Sequence, residues 1–171
     1  QQIVIGKGVT GVGNAKVTFG YGSNTATLDL DGSDTSWAAA SSDERLKENI
    51  VTSEAGLSFV NDLRPVTYNW KKEKDVPQDM PQYVEGSEEP CLGHEYGKTL
   101  HGFIAQEVKA AEESHPEIKE GFNMWRQWDN GTQTVAQAAL IPVLVKAIQE
   151  LSAQADAQSK QIKKLETQLK K

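Results

Sequence analysis

The chain has 171 residues, with 18 Lys+Arg against 24 Asp+Glu, a formal net charge of −6 and a pI near 5.1. An acidic chain lacks the basic surface of a general nucleic-acid binder, so no nucleic-acid partner is expected. Hydrophobic residues make up only 37%, and no apolar run approaches the roughly 18 to 20 residues of a spanning helix, so no membrane partner is expected either. The single cysteine, Cys91, excludes an intrachain disulfide. The sequence starts at Gln1 without a basic region followed by an apolar stretch, so no signal peptide is expected and Gln1 reads as the start of a fragment.

Residues 1–36 hold seven of the 14 glycines, interleaved with Ile3-Val4-Ile5, Lys16-Val17-Thr18-Phe19 and Ala26-Thr27-Leu28-Asp29-Leu30. This pattern predicts short strands broken by glycine turns. The segment has too few large apolar side chains for a core of its own, so it is expected to be the end of an oligomeric β structure completed by partner chains.

From residue 42 to about 133 the sequence reads as a mixed globular unit. Leu46, Ile50, Leu57, Val60 and Leu63 fall near helical spacing, with Asp43 and Glu44 in a first turn that favours acids, and Pro65 ends the helix. Val66 to Trp70 alternates as a strand, with Val66, Tyr68 and Trp70 on one face. Lys71 to Thr99 is polar and rich in Pro and Gly, a long excursion or protruding hairpin. Phe103 to Ala111 resumes helical periodicity, with Pro116 beyond its end. Asn130-Gly131 predicts a tight turn joining two strands.

The last segment is the most regular. Ile141, Leu144, Ile148, Leu151, Ala155, Gln158, Ile162, Leu165 and Leu169 alternate steps of three and four, the a/d pattern of a coiled coil. Such a polar helix is marginal alone, so the pattern predicts self-association. Ala155 and Gln158 form a weak, polar layer in the seam, and the Ile and Leu placement does not separate dimer from trimer. With a self-associating segment at each end, an obligate oligomer is expected.

The junction at residues 41–47 admits two readings. Ser41 with Glu44 three residues later is a capping box that simply opens a helix. Alternatively, a serine hydroxyl pairs with Lys47, whose neutral amine can serve as general base once burial or nearby cations lower its proton affinity. On one continuous helix Ser42 and Lys47 would be turned about 140° apart, so that pairing requires a non-helical lead-in or a lysine from a neighbouring chain.

Several stretches, in order, resemble one known family. Ser42-Asp43-x-Arg45-x-Lys47 is followed by Glu48-Asn49-Ile50, then Leu63-x-Pro65-Val66-x-Tyr68-x-Trp70, Gly102-Phe103-Ile104-Ala105-Gln106-Glu107-Val108, and Leu140-Ile141-Pro142 continuing to Leu151. This series resembles the C-terminal intramolecular chaperone domain of bacteriophage tail spikes and tail fibres, the endosialidase type, to which a domain of the myelin regulatory factors is related. The resemblance implies a homotrimeric α+β protein in three parts: residues 1–41 as the end of a β-rich fibre, 42–133 as a self-cleaving chaperone domain, and 134–171 as a trimeric coiled-coil helix. It implies that the chaperone has the upstream fibre segment as its folding client and then cuts the Ser41–Ser42 bond, with Ser42 as nucleophile and Lys47 as base. Asp43 and Arg45 match motif positions with a supporting role, holding the turn through an ion pair. The mature fibre would stay in the virion tail and bind a bacterial surface receptor, and the chaperone would act and be released in the host bacterial cytoplasm.

In that scheme residues 71–99, with Val76, Met80, Tyr83 and Val84 among charges, are candidates for an arm that grips the fibre. The alternative from another class is a non-catalytic trimerisation module at the fibre tip. A membrane-associated transcription factor fragment is disfavoured by the glycine-rich β segment and the lack of a basic DNA-binding stretch. Cys91, His94 and His101 are too few for a tetrahedral zinc set, so neither a metal nor any other cofactor is expected. No glycine-rich phosphate loop supports nucleotide binding. His115, before Pro116, is expected on the surface at a helix end, and Trp125 and Trp128 are expected in packing.

Overall fold

The computed structural model describes residues 1–31, 37–39, 42–93, 97–118 and 121–170. The chain divides by its contacts into Gln1–Val51 and Thr52–Lys171. The division falls after Val51, so the segment containing Ser42 and Lys47 goes with the N-terminal unit.

That unit is a four-stranded sheet in chain order: β1 (Ile3–Lys7), β2 (Lys16–Tyr21), β3 (Asn24–Asp29) and β4 (Trp37–Ala39). β2 and β3 form an antiparallel hairpin with Val17 opposite Leu28, and β1 runs parallel to β2 with Ile5 opposite Phe19. Gly6 sits at φ +140, and a Cβ there would fall 1.9 Å from the Gly20 carbonyl oxygen, so only glycine lets the two strands approach this closely. Among the described residues of this unit only Thr18 is buried, its hydroxyl 3.1 Å from that of Thr27. Ile3, Val4 and Ile5 are all exposed, although alternate residues point to opposite faces of a strand. The strands anticipated from the glycine pattern are present, and the sheet has almost no interior.

The helix anticipated through Leu46 and Ile50 does not form. Residues 44–46 make a single 3₁₀ turn, and the α-helix α1 spans only Leu57–Asp62. Asn49 lies at φ +53, a left-handed conformation that interrupts any helix between them. Asp43 caps the short turn, its side chain accepting the Arg45 backbone N–H, while Ser41 of the anticipated capping box lies outside the described residues.

The C-terminal unit has its core where α1, α2 (Ala105–Ser114) and α3 (Leu140–Leu169) meet. Phe59, Val108, Ala111, Met124, Leu140 and Val143 fill it, with Phe59 and Met124 fully buried. Gly56 is the N-cap of α1, and the Leu57 N–H donates to Glu150 Oε2 at 2.8 Å, so α3 satisfies one of the orphan donors of α1. The first residue after α1, Leu63, is already extended, and Arg64 precedes Pro65, a position that disfavours the α region.

β5 (Val66–Tyr68) pairs antiparallel with β6 (Leu100–Gly102), somewhat shorter than the strand anticipated to Trp70. Between them the excursion closes at its base through the Lys72–Pro90 bridge and a 2.8 Å bond from Cys91 N–H to the Lys71 carbonyl. Lys72 and Lys74 both donate to Glu88 and hold its carboxyl down to about 2. Val76 is buried, whereas Val84 is exposed.

β7 (Trp125–Gln127) and β8 (Gln133–Val135) form the hairpin anticipated around Asn130-Gly131, with Gly131 at φ +81. Trp125 packs against the core and donates its indole N–H to Gln133 Oε1 at 2.8 Å, with Lys109 Nζ 4.7 Å from the ring centre. Trp128 is exposed.

α3 has two apolar faces. Leu140, Val143 and Ala147 turn inward, while Ile141, Leu144, Ile148, Leu151, Ile162, Leu165 and Leu169 remain exposed. From Leu151 to Lys170 every residue is exposed. No helix among the described residues is long and apolar enough to cross a membrane.

His115 is not a surface residue. Its ring is only 7% exposed and meets Phe59 edge-on at 5.4 Å. Nε2 lies 2.7 Å from Asp62 Oδ2 and Nδ1 lies 2.7 Å from Glu117 Oε1, so the residue that follows α2 ties the last residue of α1 to the chain beyond Pro116. Sequence proximity to Pro116 suggested a helix end and was right about that. The ring's contact with Phe59 and its bond to Asp62, 53 residues away, are not revealed by a local pattern.

Candidate active site

Ser42 and Lys47 are brought together by a short backbone reversal. Asp43 is extended at φ −64, ψ 129, residues 44–46 make the 3₁₀ turn, and Lys47 is extended again at φ −122, ψ 149. The turn is closed by Leu46 N–H on the Asp43 carbonyl at 3.1 Å and Lys47 N–H on the Glu44 carbonyl at 2.9 Å. The lysine side chain can therefore run back towards Ser42, and Lys47 Nζ donates to Ser42 Oγ at 2.7 Å within one chain. The geometric requirement set by the spacing, a non-helical lead-in, is met.

Asp43 and Arg45 make the turn rigid. The Asp43 carboxylate accepts the Arg45 backbone N–H at 2.9 Å and is gripped by the guanidinium through Nε at 3.0 Å and Nη2 at 2.6 Å. The Arg45 side chain, then its backbone N–H, hold the Asp43 carboxyl below the usual carboxylate range, and Asp43 in turn raises Arg45. A planar guanidinium engaging both carboxylate oxygens fixes orientation as well as charge.

Chemically, an amine in contact with a hydroxyl can accept its proton once the amine is neutral, which leaves an alkoxide able to attack a carbonyl. In a single chain both side chains are exposed. Ser41, the other half of the anticipated scissile bond, lies outside the described residues, as does His94 of the Cys91, His94 and His101 group. Among the described residues no three His, Cys, Asp or Glu side chains converge as a metal set.

The arrangement defines a class of protein in outline: a β sheet leads directly into a serine-lysine turn, followed by an α/β unit that ends in a long, half-naked helix. Residues 42–117 match the model of the Peptidase S74 family, described as the chaperone of endosialidase, which is the family that the motif order resembles. The match begins at Ser42 itself. A comparison with curated proteins found no match.

Proposed function

We propose that this chain is a self-cleaving intramolecular chaperone, which assembles as a homotrimer, assists folding of the β-structured phage tail fibre or spike segment upstream of it, and then cuts itself free between Ser41 and Ser42. The contact that carries the reading is the 2.7 Å approach of Lys47 Nζ to Ser42 Oγ, at the first residue of the segment that matches a chaperone and peptidase family.

The chemistry is an acyl shift followed by hydrolysis. Neutral Lys47 takes the Ser42 Oγ proton, and Oγ attacks the carbonyl carbon of residue 41. The 41–42 C–N bond breaks as the Ser42 nitrogen receives the proton back from the Lys47 ammonium, which leaves an ester between residue 41 and Oγ. Water then adds to the ester, restoring the hydroxyl and leaving a carboxylate on Ser41. Tethering supplies the effective concentration that an ordinary protease obtains from a substrate pocket.

Assembly follows from the apolar surface left open. The Ile141–Leu169 stripe of α3 is exposed along the whole helix and suits a parallel bundle of identical helices. Three chains held in register lower the entropic cost of pairing strands distant along the sequence, which otherwise makes interwoven β structures slow to form. Cutting then removes the element that promoted folding, so the mature fibre persists by a high barrier to unfolding. In this reading the fibre remains in the virion tail and binds a bacterial surface receptor, and the freed chaperone stays in the host bacterial cytoplasm.

A non-catalytic trimerisation module would use the same stripe of α3. Ser42→Ala separates the two readings: processing lost with assembly retained supports the self-cleaving chaperone, and an uncut wild type that is fully assembled overturns it.

A further inference from the structure

The residues around the Ser42–Lys47 pair favour a helix that the chain does not form. Ser41 and Glu44 have capping-box spacing, Leu46 and Ile50 are four residues apart, and Glu44, Arg45, Leu46, Lys47 and Glu48 are all good helix formers. A helix carried from residue 43 to residue 50 would turn Ser42 and Lys47 about 140° apart and undo their 2.7 Å contact. The Asp43 side chain does not choose between the two outcomes, because an aspartate that accepts the Arg45 N–H would cap a long helix as well as it caps the single 3₁₀ turn. Asn49 does choose. It lies at φ +53 in an exposed bend two residues after Lys47, and a left-handed residue cannot be part of a right-handed helix. Asn, Asp and Gly take up that conformation far more readily than other residues. Ala15 holds φ +56 with its N–H on the Gln1 carbonyl and its carbonyl accepting the Leu30 N–H, two bonds that offset the cost.

We propose that Asn49 is a positioning residue of the self-cleavage site, whose left-handed backbone blocks the competing helix and so keeps Lys47 turned back onto Ser42. This rests on the reading of Ser42 and Lys47 as nucleophile and base. The turn is held at its start by Asp43 and Arg45 and at its end by the conformation of residue 49. Between them Lys47 stays extended at φ −122, ψ 149, the backbone that lets its side chain run back to the serine. In the competing helix Lys47 would take helical dihedrals, and its amine would leave the hydroxyl. Asn49 acts through its backbone and not through its amide, so what position 49 requires is a residue that accepts positive φ.

The test follows self-cleavage of the full chain by intact mass, with assembly measured by light scattering, in wild type, Asn49→Gly, Asn49→Asp, Asn49→Ala and Asn49→Gln. The Gly and Asp variants, which accept positive φ, should cut within about twofold of wild type. The Ala and Gln variants should assemble and yet cut about tenfold more slowly, a factor of the size set by the cost of a left-handed conformation for an ordinary residue. Gln keeps the amide, so slow cleavage by Gln beside fast cleavage by Gly assigns the effect to the backbone. If Asn49→Ala does not assemble, Asn49→Gln is read in its place. A second readout needs no cleavage: in the Ser42→Ala background, backbone carbon chemical shifts of residues 44–50 should move towards helical values with Asn49→Ala and stay in place with Asn49→Gly. Wild-type rates in the Ala and Gln variants overturn the proposal, as does an Asn49→Gly variant as slow as Asn49→Ala, or shifts that Asn49→Ala leaves unchanged. A wild type as uncut as Ser42→Ala overturns the dyad instead, and the chemical shifts then decide by themselves whether Asn49 holds the turn.

Discussion

His115 gives the C-terminal unit a measurable dependence on pH. A neutral imidazole has one N–H, yet both ring nitrogens face carboxylate oxygens at 2.7 Å, so the doubly protonated ring is the form that satisfies both contacts. Asp62, then Glu117, raise its proton affinity above the usual histidine value, against a smaller opposing effect of burial. A group whose folded-state affinity is raised stabilises the fold fully below its unfolded value, near 6.5, and loses that contribution as pH rises through the folded value. Deprotonation removes one of two charge-assisted hydrogen bonds, worth about 1.5 to 3 kcal/mol each, and the exposure of the Asp62 side chain places the loss at the lower end. For a unit of this size about 1.5 kcal/mol corresponds to a fall in Tm of roughly 5 °C. The assay is Tm by circular dichroism from about pH 5 to about pH 9, at fixed protein concentration, for wild type and His115→Gln in the uncleavable Ser42→Ala background. Subtraction isolates the histidine from Glu112, whose carboxyl is also raised, by burial, and which titrates in both proteins. The advantage of His115 over Gln should be largest below pH 6 and shrink as pH rises. A difference that is flat with pH, or that grows with it, refutes the reasoning.

Other residues give separable outcomes. Gly56→Ala should cost about 1 kcal/mol, measured by urea denaturation, because the added Cβ would lie 2.6 Å from Glu150 Oε2 and displace the carboxylate that accepts the Leu57 N–H. Phe59→Ala should cost about 3 to 5 kcal/mol in the same measurement, since a fully buried ring at the α1, α2 and α3 junction leaves a cavity. Arg45→Ala should slow self-cleavage without preventing assembly, because the carboxylate that caps the 3₁₀ turn loses its guanidinium partner; time courses by intact mass check this. Ile148→Lys should abolish self-association in light scattering and lower the helical circular dichroism signal as the exposed part of α3 frays, since Ile148 lies on the open face of α3.

Spacing carried some elements and misled on others, for physical reasons. The α3 repeat was legible because a 30-residue helix sustains the period long enough to be unmistakable, and the Asn130-Gly131 hairpin because its turn demands positive φ. The residues at the junction left the capping box and the Ser42–Lys47 pairing both open, the family resemblance favoured the pairing, and the 2.7 Å contact followed only from the 3₁₀ turn. Leu46 and Ile50 misled because apolar spacing normally marks a helix face against a core, and here neither residue meets one. His115, and Glu150 reaching back to α1, depend on partners 53 and 93 residues away, so nothing local announced them.

The most direct test is intact mass and N-terminal sequencing of freshly expressed protein beside Ser42→Ala and Lys47→Ala, with assembly measured on each. The account predicts a new N-terminus at Ser42 in wild type, absent from both variants, with all three proteins trimeric. A wild type that stays whole while folded and trimeric, or a variant of Ser42 that is still cut at the same bond, would contradict it.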